Sequence, residues 1–163
     1  VTSWIIGVAA FVAMEPLTYL AHRYVMHGPG MRWHASHHGP RSRGLERNDL
    51  FPVVFAVPTV AGMYAATRVP WLWWLFPIGA GVTAYGVVYA LVHDVYAHRR
   101  LVRFRARIPG LEALAAAHRI HHRHGEEPYG FVVPIVPRRL REGRASHADR
   151  PSRPTADTGV EAA

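Results

Sequence analysis

Charge along this chain is confined to the segments between long apolar blocks. Val1 to Met14 carries no charged residue, and after Glu15 the apolar run resumes through Leu17, Tyr19 and Ala21. Leu50 to Thr67 is a second charge-free block of 18 residues, and Val69 to Val92 a third of 24. A membrane-crossing helix needs roughly 20 mostly apolar residues, with a range of about 17–25. The pattern therefore predicts spans over about residues 3–21, 51–67 and 71–92. Pro58 and Pro77 interrupt the blocks, but proline is tolerated in membrane helices. Trp71, Trp73 and Trp74 open the third block, where an interfacial aromatic belt is expected. The expected fold is an all-α integral membrane helical bundle with three transmembrane helices and a histidine-rich cytoplasmic cap. A fourth span or a re-entrant hairpin is the alternative if the third block breaks at Pro77.

The remaining segments are shorter. Leu111 to Ala117 cannot span, and after Pro109-Gly110 it reads as the start of a helix lying at the interface or on the cytoplasmic face. Phe131 to Pro137 reads as a non-helical stretch dipping into the headgroups. From Arg138 the composition turns to Arg, Glu, Ser, Pro, Ala, Thr and Asp. The organisation expected is a membrane domain over 1–137 and a disordered cytoplasmic tail over 138–163. The first block has no basic start and runs directly into histidines, which argues against a cleaved signal peptide.

Composition narrows the chemistry. The chain has 163 residues, 18% of them charged, against about 25% in soluble domains. It has no Cys, which excludes disulfides, thiolate metal sites and cysteine nucleophiles. All 19 basic residues are Arg, which excludes a P-loop or Schiff-base lysine. No nucleotide fingerprint of the GxGxxG type occurs. The net charge of +8 is shared with nucleic-acid binders, but no helix-turn-helix, zinc-finger or RNP-like motif accompanies it, so no nucleic-acid partner is expected. With three spans, every Arg except Arg68 falls on one side of the bilayer, and the positive-inside rule makes that side cytoplasmic. All twelve His fall there as well.

Ten of those histidines form four boxes. His22 and His27 form an HxxxxH box, and His34, His37 and His38 an HxxHH box. Both spacings recur, in His93 and His98 and in His118, His121 and His122. On a helix, positions i, i+3 and i+4 share a face, so each HxxHH box can point its three rings one way. The i, i+5 pairs diverge by about 140° on a regular helix, so either the helix is distorted there or the pair flanks more than one ion. Ten imidazoles exceed one ion's capacity, and two ions are the economical reading. All-nitrogen ligation suits Zn, Cu, Fe or Ni. Asp94, beside His93, is a candidate acceptor for a ligand's second N–H. Asn48 and Asp49 read as caps of the second span. Glu15, a carboxylate inside a span, is expected to hydrogen-bond within the bundle. His124 lacks a matching partner, and His147 lies in the tail as a solvated side chain.

The boxes and their contexts resemble the bacterial β-carotene hydroxylases of the fatty acid hydroxylase superfamily. The resemblance covers about residues 10–137 and rests on AHRYVMHG (21–28), WHASHHGPR (33–41), NDLFPVVFA (48–56), GAGVTAYG (79–86), VHDVYAHRR (92–100), AHRIHH (117–122) and YGFVVP (129–134). Arg123 to Tyr129 departs from the family and is expected near the mouth of the site. The resemblance implies a multi-pass inner-membrane enzyme with a non-haem centre of two Fe ions held by the ten histidines. Its implied reaction uses O2 as co-substrate and adds a 3-hydroxyl to the β-ionone rings of β-carotene, giving β-cryptoxanthin and then zeaxanthin. A ring methylene has no acidic proton, so no side-chain acid or base is expected to be catalytic and the metal centre must carry the chemistry. The expected partners are a carotenoid drawn from the bilayer, membrane lipid, and a ferredoxin-like electron donor with its reductase. A carotenoid ketolase or a lipid desaturase with similar boxes is the rival enzyme, and a membrane metal transporter or metal-storage protein the rival from another class.

Overall fold

The structure, a computed structural model, describes residues 2–39, 44–100 and 106–140. The tail from 141, including His147, lies outside the described residues. No strand occurs among them. Helix α1 (Thr2–Leu20) passes without interruption into a π-helical segment, Ala21–Met26. Helix α2 (Met31–His38) is short and carries the first HxxHH box. Helix α3 (Leu50–Arg68) follows a single 3₁₀ turn at Arg47–Asp49. Helix α4 (Leu75–Tyr89) again runs into a π segment, Ala90–Ala97. Helix α5 (Pro109–His124) starts with proline at its first position, where no N–H is needed, and stops at Gly125, whose left-handed φ of 67° returns its N–H to the His121 carbonyl at 2.7 Å.

Three helical stretches are long and apolar enough to cross a membrane, Thr2–Met26, Arg47–Arg68 and Pro70–Ala97, and the chain is a membrane protein. Its apolar side chains point outward. α3 buries none of its residues, and Val8, Val12, Val53, Val57, Val60 and Val87 are all exposed. That pattern is prohibitive in water and natural in lipid. The third block does not break at Pro77. α4 begins at Leu75, so Pro77 falls in the first turn, where proline removes no intrahelical hydrogen bond.

Helices α1, α3 and α4 form the bundle. Glycine permits the closest approach: a side chain at Gly81 of α4 would strike the Gly7 carbonyl and Ala10 of α1. The first and third spans have 25 and 28 residues. At 1.5 Å per residue they reach about 38 and 42 Å, against about 30 Å of hydrocarbon. Both spans end in their π-helical segments, and α5 packs against that of the third.

Candidate metal centre

The π segments settle the i, i+5 problem. A π turn bonds residue i+5 back to residue i, and the two such bonds made by box members are His27 N–H to His22 O at 3.0 Å and His98 N–H to His93 O at 2.9 Å. Paired rings consequently lie side by side, with centroids 5.1 Å apart for His22 and His27 and 4.6 Å for His93 and His98.

Ligand nitrogens collect into two clusters. His22, His27, His34, His38 and His121 form one, and His37, His93, His98 and His118 the other. His122 joins the second, its Nε2 2.8 Å from that of His118. Each HxxHH box is divided, which corrects the expectation that its three rings point one way. Its i and i+4 members serve one cluster, and its i+3 member crosses to the other: His37 to the rings of His93 and His98, His121 to those of His22 and His27. The reason is angular, since i+3 and i+4 stand about 100° apart on a helix, wide enough to address two neighbouring sites. The clusters abut where His38 stacks on His122 with centroids 4.4 Å apart.

Outer partners fix the ring orientations. His22 donates from Nδ1 to the Tyr129 carbonyl at 2.9 Å, and His121 to the Glu126 carbonyl at 2.7 Å. His34 pairs with Asn48 Oδ1 at 2.7 Å, His37 with Glu46 Oε2 at 3.0 Å and His93 with Asp94 Oδ1 at 3.1 Å. Every partner is an acceptor, so each of these Nδ1 atoms carries the proton and each Nε2 keeps its lone pair. Yet Nε2 of His22 lies 3.1 Å from Nε2 of His34, and Nε2 of His37 lies 3.0 Å from that of His93. Two lone pairs at such distances repel unless a shared positive charge lies beside them. A metal ion supplies that charge, so the donor set fits one. Five nitrogens in a cluster exceed the four of a tetrahedral structural zinc site.

Burial keeps the rings neutral and ready to ligate. Desolvation first, then the neighbouring imidazoles, pushes His27 and His38 down to about 4. The same causes take His122 down to about 2, and desolvation takes His121 to about 3. His34, His37 and His118 are depressed too, burial being the leading cause.

Arg100 ties the acceptors of the second cluster together. Its side chain is 7% exposed and reaches Asp49 Oδ1 at 2.7 Å, Asp94 Oδ1 at 3.0 Å and Glu46 Oε2 at 3.6 Å. Asn48 and Asp49 do not act as caps of α3: Asn48 meets His34, and Asp49 takes the Glu46 N–H at 2.8 Å as well as Arg100. His124 is exposed at the end of α5 and belongs to neither cluster. Sequence reasoning missed Glu46, Tyr129, Glu126, Arg100 and Phe131. Arg100 stood visibly beside its box, whereas a backbone carbonyl acceptor leaves no trace in residue identity.

An apolar cavity of about 470 Å³ lies between α1, α3 and α4, and its lining includes Ala21, Ala90, and the Asp94 and Phe131 that touch box imidazoles. The Phe131 ring stacks on His22 at 5.2 Å and meets His93 edge-on at 5.4 Å. Tyr89 stacks on His93 at 4.7 Å and packs against Phe131 at 4.6 Å.

The fatty acid hydroxylase profile matches residues 7–140. The chain is 40% identical over 166 residues to a beta-carotene hydroxylase of Pseudescherichia vulneris, covering 98% of this chain and 93% of that one. It is 43% identical to a beta-carotene hydroxylase of Pantoea ananas over 74% of this chain and 71% of that one. It is 37% identical to the chloroplastic beta-carotene 3-hydroxylase 1 of Arabidopsis thaliana over 84% of this chain and 45% of that one. No solved structure matches it.

Proposed function

The chain belongs to the fatty acid hydroxylase family, and from that premise we propose that it is a β-carotene 3-hydroxylase. The reaction inserts one oxygen atom of O2 into a ring C–H bond, and the other leaves as water with two protons and two electrons from an external donor. Repetition on the second ring converts β-cryptoxanthin to zeaxanthin. The observation that carries this reading is an apolar cavity of about 470 Å³ whose lining residues Phe131 and Asp94 touch imidazoles of the two clusters.

Each residue set has a separable task. His22, His27, His34, His38 and His121 hold one iron ion, and His37, His93, His98, His118 and His122 the other. Bound iron supplies the reduction of O2 and the cleavage of an unactivated C–H bond, which no side chain here can supply. Tyr129, Glu126, Asn48, Glu46 and Asp94 retain the Nδ1 protons, so every Nε2 they control faces its cluster as a donor. The cavity takes a β-ionone ring from the bilayer and excludes water from the reacting methylene. The rival reading as a transporter finds no free ligand in Glu15, because its carboxylate is already occupied by the 131–133 backbone.

We place the hydroxylase body at 1–137 and treat 138–163 as a tail that contributes no ligand. The Arg-rich end is the cytoplasmic side of the inner membrane, where an acidic, ferredoxin-like donor docks. The test is expression in a bacterium that accumulates β-carotene, with pigment analysis. Zeaxanthin and β-cryptoxanthin are expected. Keto products alone, or unchanged β-carotene with protein present in the membrane, would reject the assignment.

A further inference from the structure

Glu15 stands inside the first span, yet its carboxylate binds a segment 116 residues further on. Oε1 accepts the backbone N–H groups of Phe131, Val132 and Val133 at 3.0, 3.1 and 2.9 Å. Oε2 accepts from Tyr85 Oη at 2.5 Å and shares the Val132 N–H at 3.2 Å. Three successive N–H groups converging on one anion form a nest. The loop is built to match: a methyl group at Gly130 would come within 3.0 Å of both Glu15 Oε1 and the Val133 carbonyl. Four residues further along α1, Tyr19 donates to Glu127 at 2.6 Å, and Arg23 reaches the same carboxylate at 3.0 Å. Glu15, Tyr19 and Arg23, spaced four residues apart, thus hold the segment after α5 at two points, and Glu15 holds the part that carries Phe131.

Phe131 is part of the cavity wall and stands in ring contact with His22 of the first cluster and with His93 and His118 of the second. Its position bears on a chemical problem in the proposed reaction. The C4 hydrogens of a β-ionone ring are allylic and more weakly bound than those at C3. Attack at C3 is therefore against intrinsic reactivity and must come from placement. Neighbouring ring carbons lie only about 1.5 Å apart, so a small movement of the wall exchanges one for the other.

On the premise of the hydroxylase reading, we infer that Glu15 is a positioning residue. Through the 131–133 backbone it seats Phe131, and the seated ring presents C3 rather than C4 to the imidazole clusters. Glu15→Gln keeps one acceptor oxygen but removes the charge that holds three N–H groups, and puts an N–H₂ where Oε2 takes Tyr85 and shares Val132, so it weakens the nest. Phe131→Leu leaves the nest intact and shortens the wall. Gly130→Ala strains the nest from the loop side.

The experiment compares wild type, Glu15→Gln, Phe131→Leu and Gly130→Ala in the β-carotene-accumulating host, reading the ratio of 4-hydroxy to 3-hydroxy products and the metal bound per purified chain. A ratio raised about tenfold, on the scale of one methylene's worth of pocket discrimination, with unchanged metal content in Phe131→Leu and at least one of the other two, supports the inference. An unchanged ratio in Phe131→Leu and in whichever of the other two accumulates overturns it, whatever the total yield. So does loss of metal, which would make Glu15 a support of the clusters rather than of the cavity. Absence of any hydroxylated product from wild type would instead overturn the hydroxylase reading on which the inference stands.

Discussion

Replacing Arg100 with methionine separates the two clusters. The substitution keeps an unbranched stem of similar bulk and deletes only the guanidinium. Arg100 is 7% exposed and its partners Glu46, Asp94 and Asp49 are 8%, 13% and 24% exposed. Removing one member of a buried ion pair costs about 3–5 kcal/mol. The three pairs share one cation, so their contributions do not sum. Asp49, the most exposed, recovers water most easily. The loss therefore falls mainly on Glu46 and Asp94, the carboxylates that orient His37 and His93, both in the second cluster. Loss of such outer partners typically weakens a metal site 10–100-fold, that is, by about one to two powers of ten. The first cluster depends instead on Asn48 and on the carbonyls of Tyr129 and Glu126, and the turn carrying Asn48 keeps its Glu46–Asp49 hydrogen bond without Arg100. Anaerobic Fe(II) titration of the detergent-purified protein, with bound metal counted after dialysis, should show two binding steps in wild type. Arg100→Met should weaken one of them about 10–100-fold and spare the other, whereas Asp49→Asn, which touches no imidazole, should spare both. Equal weakening of both steps, or of neither, would refute the division of labour read from these contacts.

Changing any of His34, His37, His38, His118, His121 or His122 to Ala should abolish zeaxanthin formation per unit of inserted protein; full activity in two of the six would remove the ligand assignment. His147→Ala should be silent, and a loss of activity at normal expression would bring the tail into the working structure. The metal-free protein should lose stability in mild acid. His27 and His38 sit near 4 when folded but near 6.5 when unfolded, so the unfolded chain binds protons first. Stability is full above about pH 6.5 and falls toward pH 4 in a thermal-melt series; a flat profile over that window contradicts their burial as neutral rings. A C-terminal reporter fusion should be active in the cytoplasm, and periplasmic activity would reverse the proposed topology.

What the chain determined unaided is the kind of information carried by residue type and spacing. Three charge-free blocks declare membrane helices because a bilayer demands continuous apolar length. Four boxes with two repeated spacings declare clustered imidazoles because side chains three and four apart on a helix are neighbours. The i, i+5 spacing left open either a distorted helix or a pair flanking more than one ion, and the chain has π segments at both boxes. Sequence could not say how ten rings divide, because His37 and His121 are assigned by where α2 and α5 lie relative to the spans. Nor could it show that His22 and His121 are held by main-chain carbonyls, since every residue has one. The pairing of Glu15 with residues 131–133 is of the same kind: the carboxylate was conspicuous in the first span, but its partners are N–H groups brought there by the path of the chain after α5. Local rules fix what is decided within a few residues. The division of the clusters, the Arg100 hub and the cavity wall depend on which distant segments meet, and packing alone decides that.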